Sequence, residues 1–264
     1  MTVFRIVLAL LLICAPMSEA LAWGDCAHAA VAEIAQQHMR PEALFLIRDL
    51  LGGDKSLASL SGWADSISLL RPQTISWHFV NIPYESSRAA ADRDRRPAPS
   101  DDSVIAAIER FQKILSDRSE PREQRLEALM FLIHLVADVH QPFHCVNRDD
   151  AGASELIVQF FGAPMSLHAV WDFGLIDRYT YDWGAFVRED GTQIDPALDE
   201  QARSGGVEDW ALESHRLAVD FGYALPDSLE IDDGYYRKAI PIVRKQIHLA
   251  AIRLAVLLEN ALLN

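Results

Sequence analysis

The sequence predicts a mainly α-helical fold, a single compact multi-helix domain with at most a short β element. Three observations predict it. Apolar residues recur at three- and four-residue intervals through most of the chain. A single run reads as a strand. No linker, repeat or low-complexity block divides the 264 residues, half of them hydrophobic, so one sizeable core can be buried.

The elements follow in order. Residues 29–39 have helical apolar spacing, and 41–51 form a second helix opened by Pro41 in its first turn. Residues 56–70 are a third helix. Residues 83–100, rich in Arg, Asp, Ala and Pro, lack periodicity and read as an exposed loop. Residues 101–115 return to helix, with Asp and Ser near the start. A long apolar-periodic helix covers 122–140 and ends before Pro142. The run Leu156-Ile157-Val158-Gln159-Phe160-Phe161 is the strand. Helix resumes over 168–179, and amphipathic helices over 208–221 and 235–263 close the chain, the last interrupted by Pro241.

The first 22 residues carry an export signal. Arg5 supplies the positive start, residues 6–15 the apolar run, and Ala20-Leu21-Ala22 the small-x-small cleavage pattern. Cleavage after Ala22 leaves Trp23 at the head of a domain spanning 23–264, secreted or periplasmic. No later stretch is an unbroken apolar span, so no membrane span is expected. Cys26 and Cys145 then remain, an even pair in an oxidising compartment, where a disulfide is expected. The net charge of −14 argues against a protein that coats nucleic acid without regard to sequence. It leaves a metalloenzyme open, because bound divalent ions add positive charge that residue counts miss.

His134 and Asp138 are four apart on the long helix and share one face, and His168 and Asp172 repeat the spacing. His144 follows Pro142, where the chain leaves the long helix. Such pairs commonly form solvent-facing hydrogen bonds. Here the flanks Phe131-Leu132-Ile133 and Leu135-Val136-Ala137 are apolar, and a buried His and acid need partners that a metal can supply. His28, Asp65 and His78 add candidates in the N-terminal half. His140, two residues from Asp138, points off that face, and His38, His215 and His248 sit in ordinary helical contexts. Trp183 and Trp210 read as core.

In order along the chain stand Trp23-Gly24-x-x-x-His28, Trp63-Ala64-Asp65, Trp77-His78-Phe79, His134-x-x-x-Asp138-x-His140-Gln141-Pro142-x-His144 and Leu167-His168-x-x-Trp171-Asp172. This series resembles the zinc-dependent single-strand nucleases of the S-one/P-one type, distantly related to the zinc phospholipases C. The resemblance is colinear across nearly all of 23–264. It implies a fold of the phospholipase C / single-strand nuclease type and three zinc ions per chain. It implies that the Trp23 α-amine and carbonyl hold one zinc with His28. Asp138 bridges this zinc to a second, held by Asp65, His78 and His134. His144, His168 and Asp172 hold the third. Asp65 is implied to act as the catalytic base, and Phe79 and Asn81 to contact substrate, Phe79 by stacking on a base. Asn81 stands where fungal members carry aspartate. Cys26 and Cys145, each close in sequence to an implied ligand, are expected to pair, the alternative being a stray buried thiol.

The implied activity is hydrolysis of single-stranded RNA and DNA to 5′-phosphorylated products, with 3′-nucleotidase activity as a companion. Two other readings stand beside it: a phospholipase C acting on phosphocholine lipids, and a non-catalytic exported zinc-binding protein. Asp172 and the short Trp23–His28 spacing favour the nuclease branch. Oligomeric state is not readable from the sequence.

Overall fold

A computed structural model describes residues 23–86, 102–190 and 195–264. The expected signal at 1–22 lies outside the described residues, as does most of the expected loop at 83–100. Eleven α-helices among the described residues carry the fold: α1 (Asp25–His38), α2 (Pro41–Leu51), α3 (Trp63–Ser68), α4 (Val104–Ser116), α5 (Arg122–Asp138), α6 (Leu167–Ala169), α7 (Leu175–Tyr179), α8 (Trp183–Asp190), α9 (Pro196–Ala202), α10 (Val207–Leu217) and α11 (Asp233–Leu263). A small sheet of three strands, β1 (Ile157–Phe160), β2 (Ala163–Ser166) and β3 (Glu230–Ile231), is ordered β2-β1-β3.

The core forms where α11 meets α1, α4 and α5. In α5 every residue from Phe131 to Asp138 is buried, so its second half is enclosed on all faces rather than amphipathic. The C-terminal helix has the length and hydropathy of a membrane span. However, 78% of that window is buried inside the fold, so its apolar surface is already spent on core packing. Helix ends follow local chemistry. Pro41 opens α2, and Gly52 closes it in a left-handed conformation (φ 71°) that returns its N–H to Arg48 and Asp49. Asp232 caps α11 by accepting from the N–H groups of Gly234 and Tyr235.

Several expected elements differ from those found. The helix expected over 56–70 is a 3₁₀ turn (Leu57–Leu60) followed by α3. Ser56 caps the turn, and Gly62 separates the two pieces. The predicted break at Pro241 does not occur. Helix α11 runs through it, because its buried flanks Ala239, Ile240 and Val243 keep both halves packed, offsetting the roughly 3 kcal/mol that an interior proline costs. The strand at 156–161 is β1 (Ile157–Phe160). It pairs antiparallel with β2 (Ala163–Ser166) and parallel with β3 (Glu230–Ile231). Phe161 and Gly162, both at positive φ (50° and 83°), form the two-residue turn between β1 and β2. Helix 168–179 is interrupted by a π segment, Val170–Gly174, between α6 and α7.

The expected Cys26–Cys145 disulfide is not formed: both cysteines are free and buried. Cys26 Sγ lies 3.7 Å from the Thr180 carbonyl, whereas Cys145 Sγ donates to the Val139 carbonyl at 3.3 Å. Closeness in sequence to inward-facing histidines misleads here. Two residues along a helix is about 200° of rotation, so Cys26 points away from where His28 points. Burial, then the nearby Asp177, Asp182 and Asp25, push the Cys26 thiol up to about 11, and burial pushes Cys145 higher still. Neither thiol is therefore reactive near neutral pH. Protein denatured without reductant should alkylate fully at both positions, read by peptide mass spectrometry.

A partly buried ion pair ties α11 to α10. Arg253, 1% exposed, donates to Glu213 at 2.7 Å, and its second terminal nitrogen lies 2.8 Å from His140 Nε2. His140 Nδ1 donates to the Val136 carbonyl, leaving Nε2 free to accept, and burial and the Arg253 charge hold this histidine well below its ordinary range. His140 is thus a neutral structural acceptor, turned away from Asp138. Arg253→Ala should lower stability by about 1–3 kcal/mol, measured by chemical denaturation, because it leaves the buried His140 acceptor without its partner while the part-exposed Glu213 turns to water.

Candidate metal centre

Seven elements deliver the polar residues predicted from the sequence to one buried locus. Helix α1 brings His28, α3 brings Asp65, and α5 brings His134 and Asp138. A 3₁₀ segment, Pro72–His78, places His78 at its end, and a second, Pro142–Cys145, places His144. His168 lies on α6 and Asp172 in the π segment that follows. Behind them Trp63, Trp77, Phe111 and Phe131 form an aromatic wall, with Phe111 and Phe131 stacked at 4.5 Å. His134 and His78 are wholly buried.

Three sets of potential ligand atoms lie within 4.8 Å of one another: His28, Asp65 and His134; His78, His134 and Asp138; and His144, His168 and Asp172. Asp138, wholly buried, stands between groups. Its Oδ2 faces His78 Nδ1 at 2.9 Å and His134 Nε2 at 3.1 Å. Its Oδ1 faces His28 Nε2 at 3.4 Å and His144 Nδ1 at 3.7 Å. Asp65 Oδ1 lies 3.3 Å from His134 Nε2 and 3.7 Å from His78 Nδ1, and its side chain is one-third exposed. In the third set, Asp172 faces His144 at 3.5 Å and His168 at 3.2 Å.

The histidines are oriented from behind. His134 Nδ1 donates to the Ser61 carbonyl at 2.6 Å, His144 Nδ1 to that of His78 at 2.8 Å, and His168 Nδ1 to that of Gly152 at 2.7 Å. Each bond fixes the ring and turns Nε2 inward, the usual arrangement behind a metal-binding imidazole. Gln141 plays the same part for a carboxylate, donating from Nε2 to Asp172 Oδ1 at 2.6 Å while accepting from the Phe143 N–H.

The donor set fits divalent zinc. His28 Nδ1 and Nε2, Asp65 Oδ1, Asp138 Oδ1, His144 Nε2 and Asp172 Oδ2 are buried with no hydrogen-bond partner among the described residues. No Lys or Arg among these residues pairs with Asp65, Asp138 or Asp172. Buried carboxylates and imidazole lone pairs aimed at one another require either protons or a cation between them. All donors are N or O, at distances one ion could span. In protonic form the site shows strain of opposite sign at neighbouring rings. Burial opposes protonation of His134, but the charges of Asp138 and Asp65 hold it well above the ordinary range. His144 likewise, despite burial, is raised to about 9 by Asp172 and Asp138. Burial and the adjacent His134 push His28 down, consistent with rings stacked at 3.9 Å.

Trp23 is buried and adjoins Asp172 through the next residue: the Gly24 N–H donates to the Asp172 carbonyl at 2.8 Å. Phe79 and Asn81 line a cavity of about 400 Å³ with Phe143, Asn147, His144 and His168, so Phe79 borders the third set rather than filling the core. Two further residues serve the site without having been expected: Gln141 as a carboxylate anchor and Asn147 as part of the cavity wall. Gln141 could have been found from its place between Asp138 and His144; Asn147 carries no comparable signal. Trp210 is core as expected, whereas Trp183 is 37% exposed.

Comparison with known proteins agrees with this geometry. The family model described as S1/P1 Nuclease matches residues 23–263. The chain is 28% identical to Endonuclease 3 of Arabidopsis thaliana, over 90% of this chain and 88% of that protein. It is 26% identical to Nuclease S1 of Aspergillus oryzae, over 90% and 91% respectively. With Nuclease P1 of Penicillium citrinum it shares 34% identity over 57% of each chain. With the match running from Trp23, ahead of the first histidine of the cluster, through the last turn of α11, the chain belongs to the S1/P1 nuclease family and is a hydrolase that cleaves nucleic acid.

Proposed function

We propose that the chain is an exported phosphodiesterase that holds three zinc ions and cuts single-stranded RNA and DNA to 5′-phosphorylated products, with 3′-nucleotidase activity at the same centre. One observation carries the reading. The two oxygens of the buried Asp138 face different histidines, and the adjoining third set opens onto a cavity floored by an aromatic ring. In this reading His28, Asp138 and the Trp23 amine and carbonyl would hold one ion, and Asp138, Asp65, His78 and His134 a second. His144, His168 and Asp172 hold the third. Removal of residues 1–22 frees the Trp23 amine.

Zinc bound there supplies positive charge to phosphoryl oxygens and lowers the pKa of water toward neutrality. The protein's own groups do the rest. Asp65, one-third exposed, is the least buried carboxylate of the cluster. Burial works to raise it, but His134 holds it below the usual carboxylate range, so it is ionised and able to take a proton from the attacking water. Phe79 offers a face for one base, and Asn81 and Asn147 offer amides to its edge. A cavity of this size beside the third set admits an unstacked base, which a duplex does not present, and this supports the single-strand preference.

The test is a paired assay on protein beginning at Trp23. Bound metal is counted by mass spectrometry, and hydrolysis of single-stranded DNA, RNA, duplex DNA and phosphatidylcholine is followed before and after chelation. About three zincs with chelator-sensitive cleavage of the single strands is the expected result. Cleavage of lipid alone, or of nucleic acid with metal stripped, would overturn the reading.

A second expectation concerns the chelated protein. His144 has a folded-state pKa of about 9 against an ordinary 6.5, so its stabilising contribution is fully present below 6.5 and is lost as pH rises through 9. His134, also raised, acts in the same direction. Without metal, the unfolding temperature should fall between pH 6.5 and 9, by up to roughly 1.4 kcal/mol of stability per unit crossed. The zinc-loaded protein, whose imidazoles are already deprotonated, should show no such fall.

A further inference from the structure

We infer that Gly24 is a positioning residue that sets the spacing between the His28 side of the cluster and the His144–His168–Asp172 set, so that both take up divalent zinc in the right geometry; the inference rests on the metal reading above. Gly24 is bonded in both directions. Its carbonyl accepts from the N–H groups of Ala27 (2.9 Å) and His28 (3.2 Å), starting α1 and fixing the turn that carries the His28 ring. Its N–H donates to the carbonyl of Asp172 at 2.8 Å. One residue thus connects the backbone of His28, in the first set, to that of Asp172, in the third.

The requirement for glycine is one of space. At φ −53° and ψ 157° the backbone suits any L-residue, so conformational freedom is not the reason. A Cβ on residue 24, however, would lie 2.9 Å from Phe173 Cβ and 3.2 Å from the Asp172 carbonyl oxygen. Both atoms belong to the π segment Val170–Gly174, whose backbone is fixed by packing on α11 through Trp171, which bonds Tyr235. Neither obstacle is the free end of a flexible side chain. A methyl group at position 24 must therefore push α1 and Asp172 apart. That displaces Trp23 and His28 on one side, and on the other the carboxylate that Gln141 holds toward His144 and His168.

The experiment follows zinc rather than turnover. Protein beginning at Trp23 is loaded with zinc and taken through a graded chelator series, and the ions retained per chain are counted by native mass spectrometry. Gly24→Ala should shift at least two of the release steps to about 10–100-fold weaker chelation, the range seen when a supporting contact behind a metal ligand is lost. The double variant Gly24→Ala/Phe173→Gly removes the nearer obstructing atom and should recover most of the shift. The unfolding temperature of the chelated proteins is the control, because a merely structural role would lower it in step with zinc retention. Unchanged release steps, a shift confined to one step, a parallel loss of chelated-state stability, or no recovery in the double variant would each overturn the inference. A parent protein that retains no zinc at all would instead overturn the metal reading on which it rests.

Discussion

Three carboxylates, Asp65, Asp138 and Asp172, are gathered in a largely buried locus with no lysine or arginine among the described residues to neutralise them. This is the constraint on which the structure turns. Ionised carboxylates so placed repel one another and lose hydration, a cost of several kcal/mol per ion unless compensating charge is present. The fold elsewhere observes the ordinary rule, as Arg253 shows by pairing with Glu213 as it enters the core. At the cluster it supplies imidazoles, whose charge is optional. Helix α5, enclosed by apolar residues on every side, can therefore tolerate Asp138 at its end only through what lies among the histidines.

The rest of the architecture keeps those histidines in place. Regular helices present His28, His134 and Asp138, but His78 and His144 come from 3₁₀ segments that begin with proline, where the chain turns too tightly to move far. The two segments are stitched together: the His144 ring donates to the His78 carbonyl, and the Val80 N–H donates to the His144 carbonyl. A π turn carries Asp172, and such turns often occur where a helix has been distorted to serve a site. Backbone carbonyls behind the rings are a sturdier anchor than side chains, because each is already fixed by its own secondary structure.

Much of this was legible from residue spacing. His134 with Asp138 and His168 with Asp172 declare a shared face through their four-residue interval, and the apolar neighbours of His134 declare that the face is buried. The bounds of α2 are those expected, because proline opens it and glycine closes it. The approach of His28, Asp65 and His78 to these pairs was not legible from spacing, since it depends on tertiary packing; the family resemblance supplied it. The cysteines show the limit of arguing from neighbours. Cys26 and Cys145 adjoin residues that converge, yet alternate side chains leave a helix or tight turn in different directions, so convergence of one predicts divergence of the other. Strand β2 carries Pro164 and little alternation, and β3 is two residues long, too short for any periodic signal. The helix through Pro241 escaped because packing, which outweighs a local penalty, is invisible in a window of sequence.

The overall charge bears on how such a site can capture a polyanion. At −14 the chain repels nucleic acid at long range, but at physiological ionic strength that repulsion fades beyond about 8 Å. Attraction must therefore be generated within the site itself. Divalent ions bound among the carboxylates add positive charge at the cluster; the same carboxylates without ions leave it negative. The sign of the local field thus reverses with metal occupancy, so the ions govern substrate binding as well as the chemical step. The cavity beside His144 and His168 is lined by uncharged groups: an aromatic face from Phe79 and amides from Asn81 and Asn147. Such groups hold a base by stacking and hydrogen bonding, with little dependence on salt. An aromatic face and amides beside a divalent centre are a way for an acidic protein to combine a salt-sensitive contact to phosphate with a salt-tolerant contact to a base.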